Sequence, residues 1–283
     1  MLIEGTLGGK PLGDKEPTQI MGVINLSPGS FFKGSVKTSK SEIGSQISKM
    51  IEAGADFLDV GAISSAPTFL YQGSDIVSES TERERLSKFF DAFNDVGEEI
   101  PVSIDTQSAE TAEYALSKGA TIINDISGFK SDQRLPTVIA DHQASAIVMS
   151  CRDKPGDVYV MPKILLELQN SLNIGQNAGI PDSKMVVDPG LGGWVPEREI
   201  EADYNILKDL PEMRSLGRPI LLGISRKSFI GKVLNEPPDG RLSGSLAATA
   251  IGVSLGAHII RTHDVRETKD ACKVAFLLKQ YSL

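Results

Sequence analysis

One short pattern occurs three times in this chain, and each occurrence indicates the end of a helix followed directly by a strand. The three segments are 54–59 (Gly-Ala-Asp-Phe-Leu-Asp), 119–124 (Gly-Ala-Thr-Ile-Ile-Asn) and 256–261 (Gly-Ala-His-Ile-Ile-Arg). Glycine readily adopts the left-handed conformation that ends many helices, and the small alanine leaves room where a helix meets a sheet. The repeat therefore predicts a chain of alternating helices and strands.

Eight short apolar runs support the same architecture. Each is bounded by glycine, proline or polar residues and precedes a stretch with helical periodicity, as repeated βα units require. The predicted strands are 19–24, 57–60, 102–104, 121–123, 146–149, 185–187, 220–222 and 258–261. Eight such units need about 250 residues. We therefore expect a single α/β domain over residues 1–283, a (β/α)8 TIM barrel.

The remaining elements fit around this barrel. The predicted outer helices are 42–53, 81–93, 110–117, 165–173, 242–255 and 268–278. Before Pro17, the segments 8–9 and 12–14 are rich in glycine and typical of turns. They predict a short N-terminal hairpin or turn that closes the bottom of the barrel.

The net charge and the cysteines argue against several classes of protein. A formal charge of -8 disfavours nucleic acid or an anionic membrane as a partner, because basic surfaces bind both. Cys151 and Cys272 fit neither a disulfide framework nor a zinc motif. Residues 1–17 lack the features of a signal peptide, and the apolar stretch 247–260 is too short to span a membrane. We expect a cytoplasmic protein, in which an anionic substrate needs a local basic site.

Polar residues follow almost every predicted strand. In a (β/α)8 barrel these positions converge at one end, where the active site lies. The set is Asn25, Asp59, Asp105, Asn124, Asp125, Arg152, Asp188, Lys227, Arg261 and His263. Any single member could instead cap a helix or tie a loop together, and Asp59 and Asp125 are candidates for that structural role.

The charges in this set suggest a ligand with two different ends. Acceptors such as Asp105, Asn124 and Asp188 suit a flat heterocycle that presents several N–H donors, because buried acceptors must find partners. The cationic or donor groups, Lys227, Arg261 and His263, suit a phosphate or pyrophosphate. Arg226, beside Lys227, is more typical of a structural tether.

Seven blocks of the sequence, spread over most of the chain, resemble one known family. The blocks are 21–25, 54–61, 103–106, 122–128, 188–190, 223–231 and 261–265. In this order they are similar to the dihydropteroate synthases, and Asp-Pro-Gly at 188–190 alone is a much weaker signal. The resemblance implies a transferase of folate biosynthesis. Its expected substrates are 7,8-dihydropterin-6-ylmethyl pyrophosphate and an arylamine, and its expected product besides the pterin conjugate is pyrophosphate.

The resemblance also implies a role for each matching residue. The pterin-binding residues would be Asp105, Asn124, Ile126, Met149, Asp188 and Lys227. The pyrophosphate-binding residues would be Asn25, Arg261 and His263, with Asn25 acting through Mg²⁺, the usual partner of substrate phosphates. Ser65 and Ser228 would face the arylamine. The catalytic groups are then Asn25, Lys227, Arg261 and His263, and the helix 242–255 would form a homodimer interface.

Two loops depart from the family pattern near the second substrate. Gly29 stands where the family usually has aspartate, and Ala66 where it has arginine. Trp194 also comes one place later than the usual aromatic residue. These loops are similar to those of archaeal-type members, so the arylamine could be p-aminobenzoate or a larger, ribosylated aminobenzene.

Two other functions remain open from the sequence. A methyltransferase of the same superfamily binds a methylated pterin and passes the methyl group to a corrinoid, but it needs no pyrophosphate site. Residues 225–228 and 261–263 argue against it. A catalytically weak pterin-binding protein is the second alternative, because a fold alone does not establish activity.

Overall fold

The central feature of the computed structural model, which describes residues 2–27, 39–63 and 79–281, is a ring of eight parallel strands. Neighbouring strands pair in chain order, and a parallel bridge between Val187 and Ile220 closes the ring. A separate hairpin contains β1 (Glu4–Leu7) and β2 (Lys10–Gly13). The ring contains β3 (Gln19–Asn25), β4 (Phe57–Gly61), β5 (Val102–Asp105), β6 (Ile122–Asp125), β7 (Ser145–Met149), β8 (Met185–Asp188), β9 (Leu221–Gly223) and β10 (Ile259–Thr262). The predicted (β/α)8 barrel is confirmed.

The barrel interior has an apolar floor. Successive side chains of a strand point to opposite faces, so alternate residues fill the inside of the ring. One buried apolar cluster contains Leu7, Leu12, Met21, Phe57, Ile122, Ile147, Val186, Leu221 and Ile259. A second and larger core lies between the strands and the outer helices. The acidic, amide and cationic side chains of the predicted site lie towards the carboxyl ends of the strands, above this floor.

The predicted N-terminal hairpin is confirmed, and it closes the end of the barrel where the strands begin. β1 and β2 pair antiparallel, and Leu7 and Leu12 add to the apolar floor. The Gly8 backbone N–H donates to Ser145 Oγ at the start of β7 over 3.1 Å. Asp14, just after β2, accepts two hydrogen bonds of 2.8 Å from the Arg214 guanidinium.

Nine α-helices occur in the described part of the chain. They are α1 (Lys40–Glu52), α2 (Glu79–Val96), α3 (Ala109–Ser117), α4 (Leu135–Asp141), α5 (Met161–Ala178), α6 (Ile200–Lys208), α7 (Ser228–Leu234), α8 (Leu242–Ser254) and α9 (Val265–Tyr281). The sequence predicted six of them and missed α4, α6 and α7; α4 and α7 have only seven residues each, too few to show a clear period. Over residues 2–27, 39–63 and 79–281, no helix has the length and apolar character needed to cross a membrane.

The three repeated joints end helices as predicted. Gly54, Gly119 and Gly256 have φ angles of 93°, 103° and 114°. After each glycine, the alanine N–H donates to a carbonyl five residues earlier, as in Ala55 to Met50 over 3.0 Å. This is the bond pattern of a Schellman motif, in which a glycine reverses the chain at the helix end. The chain then enters the barrel without a long loop.

The strands continue further at their carboxyl ends than the apolar runs suggested. Asn25, Asp105, Asp125 and Asp188 are the last residues of their strands rather than the first residues of loops. Backbone pairing between parallel strands does not depend on side-chain polarity, so the ladder extends through these positions. Their side chains are consequently held on the rigid barrel rather than on mobile connections.

Candidate active site

Strand register brings three predicted site residues, Asn25, Asp105 and Asn124, close together on neighbouring strands at the top of the barrel. Asn25 pairs with Gly61, Gly61 pairs with Asp105, and Asp105 pairs with Asn124. A Cβ atom built on Gly61 would lie 3.8 Å from Asn25 Oδ1 and 3.9 Å from Asp105 Oδ2. The Ile63 carbonyl oxygen lies 3.7 Å from the same point, so the absence of a side chain at residue 61 leaves a space that three oxygen atoms border.

Arg261 forms ion pairs with two carboxylates across the inside of the barrel. Its Nε donates to Asp59 Oδ2 over 2.6 Å, and its Nη2 donates to Asp105 Oδ2 over 3.1 Å. Burial alone would lower the pKa of Arg261, but the two carboxylates outweigh it and raise the pKa above its ordinary value. The guanidinium is therefore a fixed positive charge beside the candidate substrate groups.

Asp59 is not a helix cap, and that alternative is wrong for this residue. It is fully buried, and it accepts hydrogen bonds from Ser103 Oγ at 2.6 Å and Asn124 Nδ2 at 3.3 Å as well as from Arg261. An aspartate within an apolar strand and two residues from Phe57 shares the inward face of β4. That spacing was the sequence signal for its role inside the barrel.

Asp125 has the structural role that the sequence offered as the alternative to ligand binding. Its two carboxylate oxygens accept backbone N–H bonds from Ser127 at 2.8 Å and Phe129 at 2.6 Å, which ties the turn after β6 together. Arg152 does not join the cluster either, because its half-exposed side chain pairs with Asp153 in a loop. Ser65, the predicted arylamine contact, lies outside the described residues, as do Gly29 and Ala66.

Burial changes the protonation of Asp105. Burial raises its pKa to about 7, opposed by the positive charge of Arg261 and reinforced by the negative charge of Asp59. The carboxyl group of Asp188, at the end of β8, also has a raised pKa because it is buried, and Lys227 opposes the shift. Asp188 Oδ1 accepts a hydrogen bond of 2.7 Å from the Gly190 N–H.

Lys227 reaches over the loop that follows β8. Its Nζ donates to the Leu191 carbonyl oxygen and lies 4.9 Å from the ring centroid of Trp194, within cation–π range. Burial lowers the pKa of Lys227 to about 8, and Asp188 opposes this change. The lysine side chain also runs over Gly192, where an added Cβ would lie 2.7 Å from Lys227 Cδ. Gly192 also has a φ of 116°, so both its backbone conformation and this contact favour glycine.

A buried ion pair that the sequence did not suggest supports this same loop. Arg198 Nη1 donates to the Gly190 carbonyl over 2.8 Å, and its Nη2 donates to Asp203 Oδ1. Asp203 Oδ1 also accepts the Gly192 N–H over 2.7 Å. The Arg198 and Asp203 side chains are 0% and 2% exposed. Two oppositely charged residues five apart in a polar segment carry no distinctive signal, because exposed pairs have the same spacing.

The segments after β9 and β10 hold the remaining cationic and donor groups. Ser225 Oγ lies 3.1 Å from His263 Nδ1. Burial, together with the charge of Arg261, lowers the pKa of His263 to about 3, so the imidazole is neutral at pH 7. Arg226 is the predicted tether: it forms two hydrogen bonds, of 2.8 and 2.7 Å, with the Asp264 carboxylate. Ser228 is the first residue of α7 and follows Lys227 directly.

The predicted apolar residues also lie at this end of the barrel. Ile126 follows β6 directly, and Met149 is the last residue of β7, where it pairs with Asp188. Both are almost completely buried. A Cβ atom at Gly190 would lie 3.1 Å from Met149 Sδ, so the turn after β8 passes close to the methionine. The mouth therefore combines apolar walls, acidic acceptors, the two amides of Asn25 and Asn124, and cationic side chains.

Comparisons with known proteins agree with this arrangement. The sequence model of the family described as pterin binding enzyme matches residues 21–263. The barrel and its charged mouth thus define a pterin-binding enzyme.

The more specific relationship comes from individual relatives. The dihydropteroate synthase of Clostridium beijerinckii is 38% identical over 274 residues, covering 96% of this chain and 98% of the relative. That of Bacillus subtilis is 33% identical and covers 93% and 89%. A dihydropteroate synthase from Coxiella burnetii, solved in complex with pteroic acid, has a TM-score of 0.86 at 33% identity and covers 98% of each chain. The chain belongs to the dihydropteroate synthase family, and it is a transferase.

The buried ion pair of the loop after β8 allows a direct stability test. Arg198→Met leaves Asp203 as an uncompensated buried charge, which we expect to lower the free energy of unfolding by about 3–5 kcal/mol. The matched control is Arg83→Met, because Arg83 forms a half-exposed ion pair of 2.7 Å with Glu110. An exposed pair is worth below about 1 kcal/mol. Urea unfolding measures both, and equal losses would contradict the assignment.

Proposed function

We propose that the chain condenses 7,8-dihydropterin-6-ylmethyl pyrophosphate with p-aminobenzoate to form 7,8-dihydropteroate and pyrophosphate. The observation that carries this proposal is the charged cluster at the barrel mouth. There Asp105 and Asp188 supply acceptors, while Arg261 and Lys227 supply positive charge. The name of the relatives and the pteroic acid bound to the Coxiella burnetii protein support the same reaction.

The pterin ring is assigned to the acidic side of the mouth. A pterin presents several N–H donors along one edge, and buried acceptors discriminate strongly in favour of a ligand that satisfies them. Asp105, Asn124 and Asp188 provide these acceptors, and Lys227 donates to an acceptor on the ring. Ile126 and Met149 cover its apolar faces.

The pyrophosphate is assigned to Arg261, His263 and Asn25. Arg261 supplies a permanent charge, whereas His263 is neutral and acts as a hydrogen-bond donor. The oxygens bordering the space above Gly61 belong to the side chains of Asn25 and Asp105 and to the Ile63 backbone, and oxygen is the donor atom that Mg²⁺ prefers. These residues fit Mg²⁺, with Asn25 as the expected ligand. When bound, Mg²⁺ would neutralise charge on the leaving pyrophosphate.

The reaction needs orientation and charge stabilisation rather than a covalent enzyme intermediate. The arylamine nitrogen forms a bond to the pterin methylene carbon, the carbon–oxygen bond breaks, and pyrophosphate leaves with the electron pair. The amine then loses a proton. Arg261 stabilises the negative charge that develops on pyrophosphate, and Asp105 and Asp188 stabilise positive charge on the pterin. Ser228 and Ser65 are the proposed arylamine contacts.

A pyrophosphate-release assay with Mg²⁺ tests the reaction. The purified protein should release pyrophosphate from the pterin substrate when p-aminobenzoate is present, with equal formation of dihydropteroate. Lys227→Ala should lower kcat/KM by about a hundredfold or more, since it removes a buried charge aimed at the substrate. The control is Lys232→Ala, because Lys232 is an exposed lysine of the adjoining helix α7. Its kcat/KM should stay within about twofold of that of the unchanged protein.

Three other outcomes separate the alternatives. Turnover with a ribosylated aminobenzene but not with p-aminobenzoate would replace the second substrate while leaving the pterin half intact. Methyl transfer from methyl-tetrahydropterin to cobalamin, followed by absorbance, would favour a methyltransferase. Tight binding of the pterin pyrophosphate without turnover of any arylamine would indicate a catalytically weak binding protein.

The pH dependence of kcat/KM follows from the two shifted groups. Below about pH 7 Asp105 becomes protonated and loses its negative charge, and above about pH 8 Lys227 loses its positive charge. Because kcat/KM reports the free enzyme, we expect a bell-shaped profile with apparent pKa values near 7 and 8. Lys227→Arg should move the alkaline limb to higher pH, because arginine stays protonated. A flat profile from about pH 6 to 9 would contradict this assignment.

We also propose a homodimer formed through α8 and α9. These helices lie side by side, and they expose four large apolar side chains, Ile251, Val274, Leu277 and Leu278. A concentrated apolar patch of this kind is typical of a protein interface. Ile251→Glu should convert a dimer into a monomer in light scattering, because it buries a charge at the interface. Leu166→Glu, at an equally exposed position on α5, should leave the dimer intact. A monomeric mass for the unchanged protein would refute the proposal.

A further inference from the structure

Asp59 contacts two residues of the proposed site, Asn124 and Arg261, from inside the barrel. It lies on β4, and its three hydrogen-bond donors come from three other strands: Ser103 on β5, Asn124 on β6 and Arg261 on β10. All three contacts are side chain to side chain. Its carboxylate has no solvent exposure, so Asp59 does not touch a substrate in the mouth. Any effect on the reaction must pass through its neighbours.

The contact with Asn124 fixes the direction of an amide. An ionised carboxylate accepts hydrogen bonds and donates none. The Asn124 nitrogen therefore faces Asp59, at 3.3 and 3.4 Å from its two oxygens, and Asn124 Oδ1 faces away. A ligand in the mouth consequently meets an acceptor at Asn124, not a donor.

The contact with Arg261 fixes a charge in the same way. Asp59 accepts from Nε, and Asp105 accepts from Nη2. These two bonds hold one edge of the planar guanidinium against the barrel wall. The plane of the group, and the position of Nη1, then follow from the position of Asp59.

We propose that Asp59 is a positioning residue that sets the hydrogen-bonding pattern offered to the pterin ring, acting through the Asn124 amide and the Arg261 guanidinium. The proposal rests on the proposed function, because it specifies how that same site selects its heterocycle. With Asn124 Oδ1 turned outward, the site accepts a ring edge that donates a hydrogen bond there and disfavours one that accepts.

A purely structural aspartate is available for comparison in the same barrel. Asp125 is as deeply buried as Asp59, but its carboxylate accepts from residues 127 and 129 of the following turn. Loss of its charge should weaken the fold without changing the pattern that a ligand meets. Asp125→Asn is therefore the matched control for Asp59→Asn.

The first measurement is the dissociation constant of pteroic acid, by calorimetry. Asp59→Asn should raise it by about ten- to a hundredfold, because a hydrogen bond to a charged group is lost at each of two binding residues. In steady-state assays the KM for the pterin pyrophosphate should rise, while the KM for the arylamine should stay within about twofold. Asp125→Asn should change both constants by less than about threefold at equal loss of stability in urea.

The second measurement is an exchange of the two side chains. Asn124→Asp keeps an outward oxygen but sets two carboxylates against each other, so it should bind pteroic acid at least as weakly as Asn124→Ala. In the double variant Asp59→Asn/Asn124→Asp, the amide at 59 donates to the carboxylate at 124, which restores the bond with its direction reversed. We expect this variant to bind about fivefold or more tightly than Asn124→Asp alone.

The outcomes keep this proposal distinct from the proposed function. Failure of the unchanged protein to bind pteroic acid would refute the function. If that binding is present, equal effects of Asp59→Asn and Asp125→Asn, or no gain from the exchange, would refute the positioning role. Should Asp59→Asn fail to fold, the Asn124 variants decide alone: wild-type affinity in Asn124→Asp would overturn the proposal.

Discussion

The site depends on one requirement, that the charge of Arg261 be compensated inside the barrel. An unpaired guanidinium in this position would cost several kcal/mol, and a pair of carboxylates on neighbouring strands removes most of that cost. Asp59 and Asp105 meet this requirement from β4 and β5. Because the strand register fixes both carboxylates, it also fixes the position of the Arg261 guanidinium that they bind.

This compensation also controls which groups are charged before a substrate arrives. With a pKa of about 7, Asp105 is only partly ionised near neutral pH, and His263 carries no charge. A site with few unbalanced charges is less costly to bury. Arg261 nevertheless stays protonated, so an anionic pyrophosphate would still find a positively charged donor there.

The sequence predicted the strands and helix ends that position the site better than it predicted the side-chain contacts within the site. All eight barrel strands and the chain reversals at Gly54, Gly119 and Gly256 follow from local pattern, because apolar period and glycine conformation act over a few residues. The partners of Asp59 and the pairing of Arg198 with Asp203 depend on which strands and loops become neighbours. Those contacts join separate elements of the barrel mouth, so only the three-dimensional structure reveals them.

The hairpin on the barrel floor has a consequence for the order in which the chain folds. Asp14 is hydrogen-bonded to Arg214, 200 residues away, and it lies 3.4 Å from His258. Contacts of such long sequence separation form slowly, because the intervening chain must lose its freedom before they contribute. During synthesis the hairpin leaves the ribosome long before β9 and β10 exist. The floor of the barrel can therefore be sealed only after the last strands have been made.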